Sequence, residues 1–95
     1  MFFKKNKDIN SNQEEQLLDK CRNLVEEDQV DLAIENLENY IDENNKLGKV
    51  FTYLMQLYND ELNKARSIGD DNKIKYNLDR IDNLMQRSKD IVRGR

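Results

Sequence analysis

Apolar residues recur in steps of three and four along four stretches of this chain, and no stretch alternates with period two. On an α-helix that rhythm draws one apolar stripe, and it leaves no pleated face for a sheet. The chain is therefore constrained to helices that hide one flank against each other. Proline, which would break a helix interior, is absent.

The helix boundaries follow from local chemistry. Ser11-Asn12-Gln13-Glu14 has the form of a capping box, in which the serine oxygen accepts an orphan backbone N–H and the glutamate reaches back. It predicts a polar, mobile lead-in over residues 1–10 and a first helix at about 12–27, with Leu17, Leu18, Cys21, Leu24 and Val25 as its stripe. Asp28 reads as the N-cap of a second helix at about 29–43, striped by Val30, Ala33, Ile34, Leu37, Tyr40 and Ile41. The third helix is expected at about 47–68, with Leu47, Phe51, Leu54, Tyr58, Glu61, Ala65 and Ile68 in line and Met55 and Leu62 widening it. Gly69 stands where a left-handed residue ends a helix, and Asp70-Asp71 caps the fourth, at about 72–92. There Ile74, Leu78, Ile81, Met85, Ser88 and Val92 make the stripe, flanked by Leu84 and Ile91. Short links imply antiparallel neighbours. The expected fold is all-α: two antiparallel helical hairpins packed together within one domain, residues 11–95.

Residues 14–47 resemble one tetratricopeptide-type (TPR-like) hairpin. Cys21 and Ala33 occupy the small positions of its first and second helices, and Leu17, Leu24 and Leu37 the large apolar ones. Tyr40 stands where alanine is usual, Asn45 where proline is common, and residues 48–95 do not repeat the pattern. The resemblance implies a peptide- or protein-binding scaffold. A single such unit needs neighbours to bury its face. The alternative architecture is a four-helix bundle.

The net charge of −3 hides a polar distribution. Residues 1–7 carry +3, residues 8–45 carry −10 and residues 46–95 carry +4. Glu35, Glu38 and Asp42 step by three and four, so they share one face of the second helix. That face is a solvated surface, a dock for a basic partner, or one side of a pairing with the basic C-terminal helix. Tyr53 and Tyr76 lie off their helices' stripes, where tyrosines serve as interface anchors or are merely exposed. Glu35, Glu38, Asp42, Tyr53 and Tyr76 are the candidate partner-binding residues. Arg80, Arg87, Lys89, Arg93 and Arg95 make the tail basic, but Asp79, Asp82 and Asp90 interrupt it. Helix-end complementarity accounts for much of this set, and nucleic acid is not the expected partner.

Catalysis finds little support. Histidine is absent, one cysteine makes neither a disulfide nor a thiolate zinc site, and the three glycines are isolated. Asp70-Asp71-Asn72 lacks the spaced ligands of a calcium loop. No cofactor and no metal is expected, and Cys21 reads as a small core residue. No apolar run approaches the ~18 residues of a membrane span. Met1-Phe2-Phe3-Lys4-Lys5 has no signal-type apolar segment and offers at best a weak membrane contact. A cytoplasmic location is the default, and the asparagine- and lysine-rich, proline-free composition resembles that of AT-rich bacterial genomes.

The resulting expectation is a non-catalytic protein-interaction module. It is expected to self-associate through the breadth of the third helix, where Val50, Phe51, Leu54, Met55, Leu57, Tyr58 and Leu62 exceed what one neighbour covers. A small acidic immunity- or inhibitor-type protein is the first alternative. A nucleic-acid or plasmid accessory using the basic C-terminal helix is the second.

Overall fold

The computed structural model describes residues 2–44 and 46–93, with side chains from residue 13 onward. Four helices run in order: α1 (Phe2–Glu26), α2 (Val30–Asn44), α3 (Lys49–Ile68) and α4 (Asp71–Arg93). No strand occurs among the described residues. The chain is all-α, and its contacts group it into two compact units, Met1–Asn44 and Asn45–Arg95. Each unit is one antiparallel hairpin, α1 on α2 and α3 on α4.

Helix α1 starts at Phe2, ten residues before the expected start. Serine loses only a few tenths of a kcal/mol inside a helix, and no proline or glycine lies between Phe2 and Glu26 to stop propagation. A Ser-x-x-Glu sequence is thus compatible with an interior, and here the helix runs through it. The side chains of Met1–Lys5, for which at best a weak membrane contact is expected, lie outside the described residues. The other boundaries fall within two residues of expectation.

Both hairpins turn on the same device, six residues whose hydrogen bonds wrap a helix end. In the first, the Gln29 N–H donates to the Leu24 carbonyl at 2.7 Å and the Asp28 N–H to Val25 at 3.0 Å. In the second, the Asp70 N–H donates to Ala65 at 2.9 Å and the Gly69 N–H to Arg66 at 3.2 Å. These are Schellman motifs, which need a left-handed residue just past the helix. Gly69 supplies it at φ 71°, as expected. Asp28 supplies it in the first hairpin, at φ 65°. Asp28 therefore ends α1 and does not cap α2, because its backbone is committed to the turn. Asp70 caps α4 as expected: its Oδ1 accepts the Lys73 N–H at 3.2 Å.

The first core centres on Cys21 and Ala33, both fully buried. The Cys21 thiol donates to the Ala33 carbonyl at 3.6 Å, a close approach that only small side chains permit. Leu18, Leu37 and Ile41 complete it. At the open end, the Tyr40 hydroxyl donates to Glu14 Oε2 at 3.1 Å and ties α2 to α1. The second core holds Val50, Leu54, Leu57, Tyr58, Leu62, Ala65 and Leu84. Each fully buried Leu or Ile contributes about 1.5–3 kcal/mol over an exposed one. Arg80 Nε donates to the Tyr58 hydroxyl at 3.3 Å, and its guanidinium carbon lies over the Tyr58 ring, 5.9 Å from the centroid. Asn77 is buried on α4, its amide donating to the Lys73 carbonyl at 2.9 Å. Asn36, Asn44 and Asn59 fold back on their own helices in the same way.

Candidate interaction surface

Two nearly equivalent stripes exist on α4. One runs through Ile74, Leu78, Ile81, Met85, Ser88 and Val92; the other swaps in Asn77, Leu84 and Ile91, one residue earlier each time. Sequence spacing favours the first. The structure turns α4 so that the second faces α3: Asn77 and Leu84 are buried and Ile91 half-buried. The physical reason is packing. Leu84 and Ile91 are as large as the Met85 and Val92 they replace, or nearly so, and the amide of Asn77 is satisfied by its own helix, so burying it leaves no orphan donor.

That rotation displaces three large apolar side chains from the core. Leu78, Met85 and Val92 are 42%, 53% and 60% exposed, seven residues apart, on one line of α4. Ile74 and Ile81, half-buried, border the line. Single exposed leucines are ordinary; here three exposed apolar side chains follow one another along one helix. Reading the stripe as pure core hid this row. The signal available in the sequence was the flanking pair Leu84 and Ile91, which makes the apolar arc of α4 wider than one antiparallel neighbour covers.

The residues singled out from sequence are distributed differently. Glu35, Glu38 and Asp42 do share one side of α2, turned away from Ala33, Leu37 and Ile41. Glu35 and Asp42 are exposed and Glu38 half-buried, and Glu38 and Asp42 both already engage neighbouring groups. Tyr53 is half-buried and has an interaction of its own. Tyr76 is 58% exposed, on the side of α4 opposite the apolar row. The three carboxylates belong to the first unit, and the two tyrosines to the second. The breadth of α3 also resolves differently. Val50, Leu54, Leu57, Tyr58 and Leu62 are all buried, and only Phe51 and Met55 stay half-buried. Among the described residues Leu32 on α2, Leu47, and Ile68 at the end of α3 are exposed as well, but the residues that follow one another at helical spacing are those on α4.

A shallow cleft of about 390 Å³ lies along α1 and α2, lined by Gln13, Leu17, Asn36, Asn39, Tyr40, Glu43 and Asn44. The Asn36 and Asn44 amides already donate to α2 carbonyls, at 2.9 and 2.8 Å. Burial pushes the Tyr40 hydroxyl above its ordinary ionisation range, and the hydrogen bond to Glu14 and the charge of that carboxylate add to it. Burial likewise raises the Cys21 thiol, against a smaller opposing effect of Lys20. Neither group is thereby activated at neutral pH, since both are held in the protonated form. Among the described residues no cluster of three or more His, Cys, Asp or Glu is placed to hold a metal ion. No described helix is long and apolar enough to cross a membrane.

Comparison with protein-family models, with curated proteins and with solved structures finds no match to this chain.

Proposed function

We propose that this protein is a non-catalytic interaction module that presents α4 to another protein. The observation carrying this reading is the exposed row Leu78, Met85 and Val92. A hairpin with a filled core has no packing use for a second apolar line, and leaving it in water forgoes about 25 cal/mol per Å² of burial. Its geometry suits a helix laid along it, the mode in which apolar anchors are read at helical spacing.

The test is affinity capture from extracts of cells that express the protein, comparing the wild type with Leu78→Lys/Met85→Lys. Proteins held by the wild type and lost with the variant support the reading. Identical captured sets from both would sink it. The substitutions lie on an exposed line, so the variant is expected to keep its helical circular dichroism.

A second reading rests on the first hairpin. The close approach of Cys21 and Ala33 at 3.6 Å favours a TPR-like unit, in which small residues let the two helices meet. In that reading the cleft bordered by Asn36, Tyr40 and Asn44 receives a peptide. Asn39→Ala, on the wall of that cleft, would weaken binding there and leave α4-dependent capture intact.

A further inference from the structure

The exposed row on α4 has coiled-coil spacing and a charge pattern that fits its own copy. Leu78, Met85 and Val92 recur every seven residues, and Ile74, Ile81 and Ser88 fill the alternate places, so the seam steps by four and three. One flank of the seam, through Asn77, Leu84 and Ile91, is closed by α3. The other flank carries Lys75, Asp82 and Lys89, also seven apart and all exposed.

We propose that the occupant of this seam is α4 of a second copy of the chain, antiparallel and centred on Met85, an inference that rests on reading the row as a contact surface. Symmetry supplies the argument. A two-fold axis across the seam reverses the helix but keeps like flanks on the same side, so charged flank meets charged flank. With the axis at Met85, that side chain packs on its own mate and Leu78 on Val92 of the other copy. Asp82 then stands beside Lys89 of the other copy, once on each side of the axis.

Competing registers are worse. Centring on Asp82 sets aspartate against aspartate and Lys75 against Lys89. Centring on Leu78 pairs Lys75 with Asp82, but it sets Met85 level with Asp71 and leaves Val92 beyond the start of the other α4. A parallel pair carries the charged flank over to the side closed by α3, where Asp82 and Lys89 do not meet. Charge and apolar matching therefore select one arrangement. The seam is short, so the association belongs to the weak class of interfaces.

Sedimentation of the full chain from about 10 μM to about 1 mM covers that class. The expected result is a monomer–dimer equilibrium that Met85→Lys abolishes with helical content unchanged. Asp82→Lys and Lys89→Asp should each weaken dimerisation about tenfold, and an equimolar mixture of the two should restore it as a heterodimer. Register is read by oxidation on a Cys21→Ala background, where Leu78→Cys should link to Val92→Cys and not to itself. A wild type that stays monomeric throughout, or Leu78→Cys chains that link to one another, overturns the proposal. The capture experiment decides the wider reading separately, because a monomer that still retains proteins through the row would fail only the self-pairing.

Discussion

Cys21 shows what one residue contributes when its size matters more than its reactivity. Its thiol is fully buried and bonded to the Ala33 carbonyl, and burial holds the proton more tightly than the unfolded chain does. A group whose folded ionisation lies above its unfolded value stabilises the fold fully below the unfolded value, and loses that contribution as pH rises through the folded one. The ordinary thiol ionises near pH 8.5, and tyrosine near 10. Stability owed to Cys21 is therefore intact at neutral pH and falls above about pH 8.5, with Tyr40 adding a further loss above about pH 10. Urea unfolding at neutral and alkaline pH checks this. The midpoint of the wild type should drop more steeply than that of Cys21→Ala once the thiol range is entered. Parallel curves would remove the assignment.

At the scale of the element, the two helix–helix turns form a natural pair for comparison. Both need a residue at positive φ, and one uses glycine where the other uses aspartate. A Cβ costs about 1 kcal/mol in that conformation, somewhat less for aspartate. A Cβ at Gly69 would meet nothing within 4 Å, so any penalty there is purely one of backbone conformation. Gly69→Ala should then destabilise by about 1 kcal/mol, and Asp28→Gly should stabilise by about 0.5–1 kcal/mol, both read from chemical denaturation. An Asp28→Gly chain less stable than the wild type would show that the aspartate side chain contributes something the backbone argument omits. These turns also mark what the sequence could tell. Gly69 was legible because glycine has one favoured role at a helix end, and Asp70 because a glycine already holding the left-handed place leaves it the N-cap. Asp28 was not, because aspartate is competent both as an N-cap and in the left-handed region, and only the Gln29–Leu24 bond decides. Ser11 misled for a related reason: its capping box is a local option that an uninterrupted helix need not take. The row on α4 was misplaced by a single residue, since two stripes with the same period coexist and only the packing of Leu84 against α3 chooses between them. The acidic face of α2 was legible as geometry, because three-and-four spacing needs no tertiary information. The interactions of Glu38, Asp42 and Tyr53 with their neighbours depend on rotamers, which spacing does not encode.

For the molecule as a whole, the division into two hairpins has a direct biochemical expression. Residues 46–48 carry no helix and are exposed, whereas every other described link between helices is wrapped by a Schellman turn. Among bonds after residue 13, brief tryptic digestion should first cut after Lys46, giving pieces of residues 1–46 and 47–95 by mass spectrometry. First cuts within α3 or α4 would mean that these helices open more readily than the link. The same construction also bears on how fast the chain acquires its shape. Three cross-helix bonds within the hairpins join residues 12, 26 and 22 positions apart: Cys21–Ala33, Glu14–Tyr40 and Tyr58–Arg80. Partners this near in the chain find each other with little loop-closure entropy to overcome, and helical proteins of such low contact order fold in microseconds to milliseconds. Each half can zip from its own turn outward as soon as it is synthesised, so the apolar row on α4 spends little time in a half-formed state open to indiscriminate sticking.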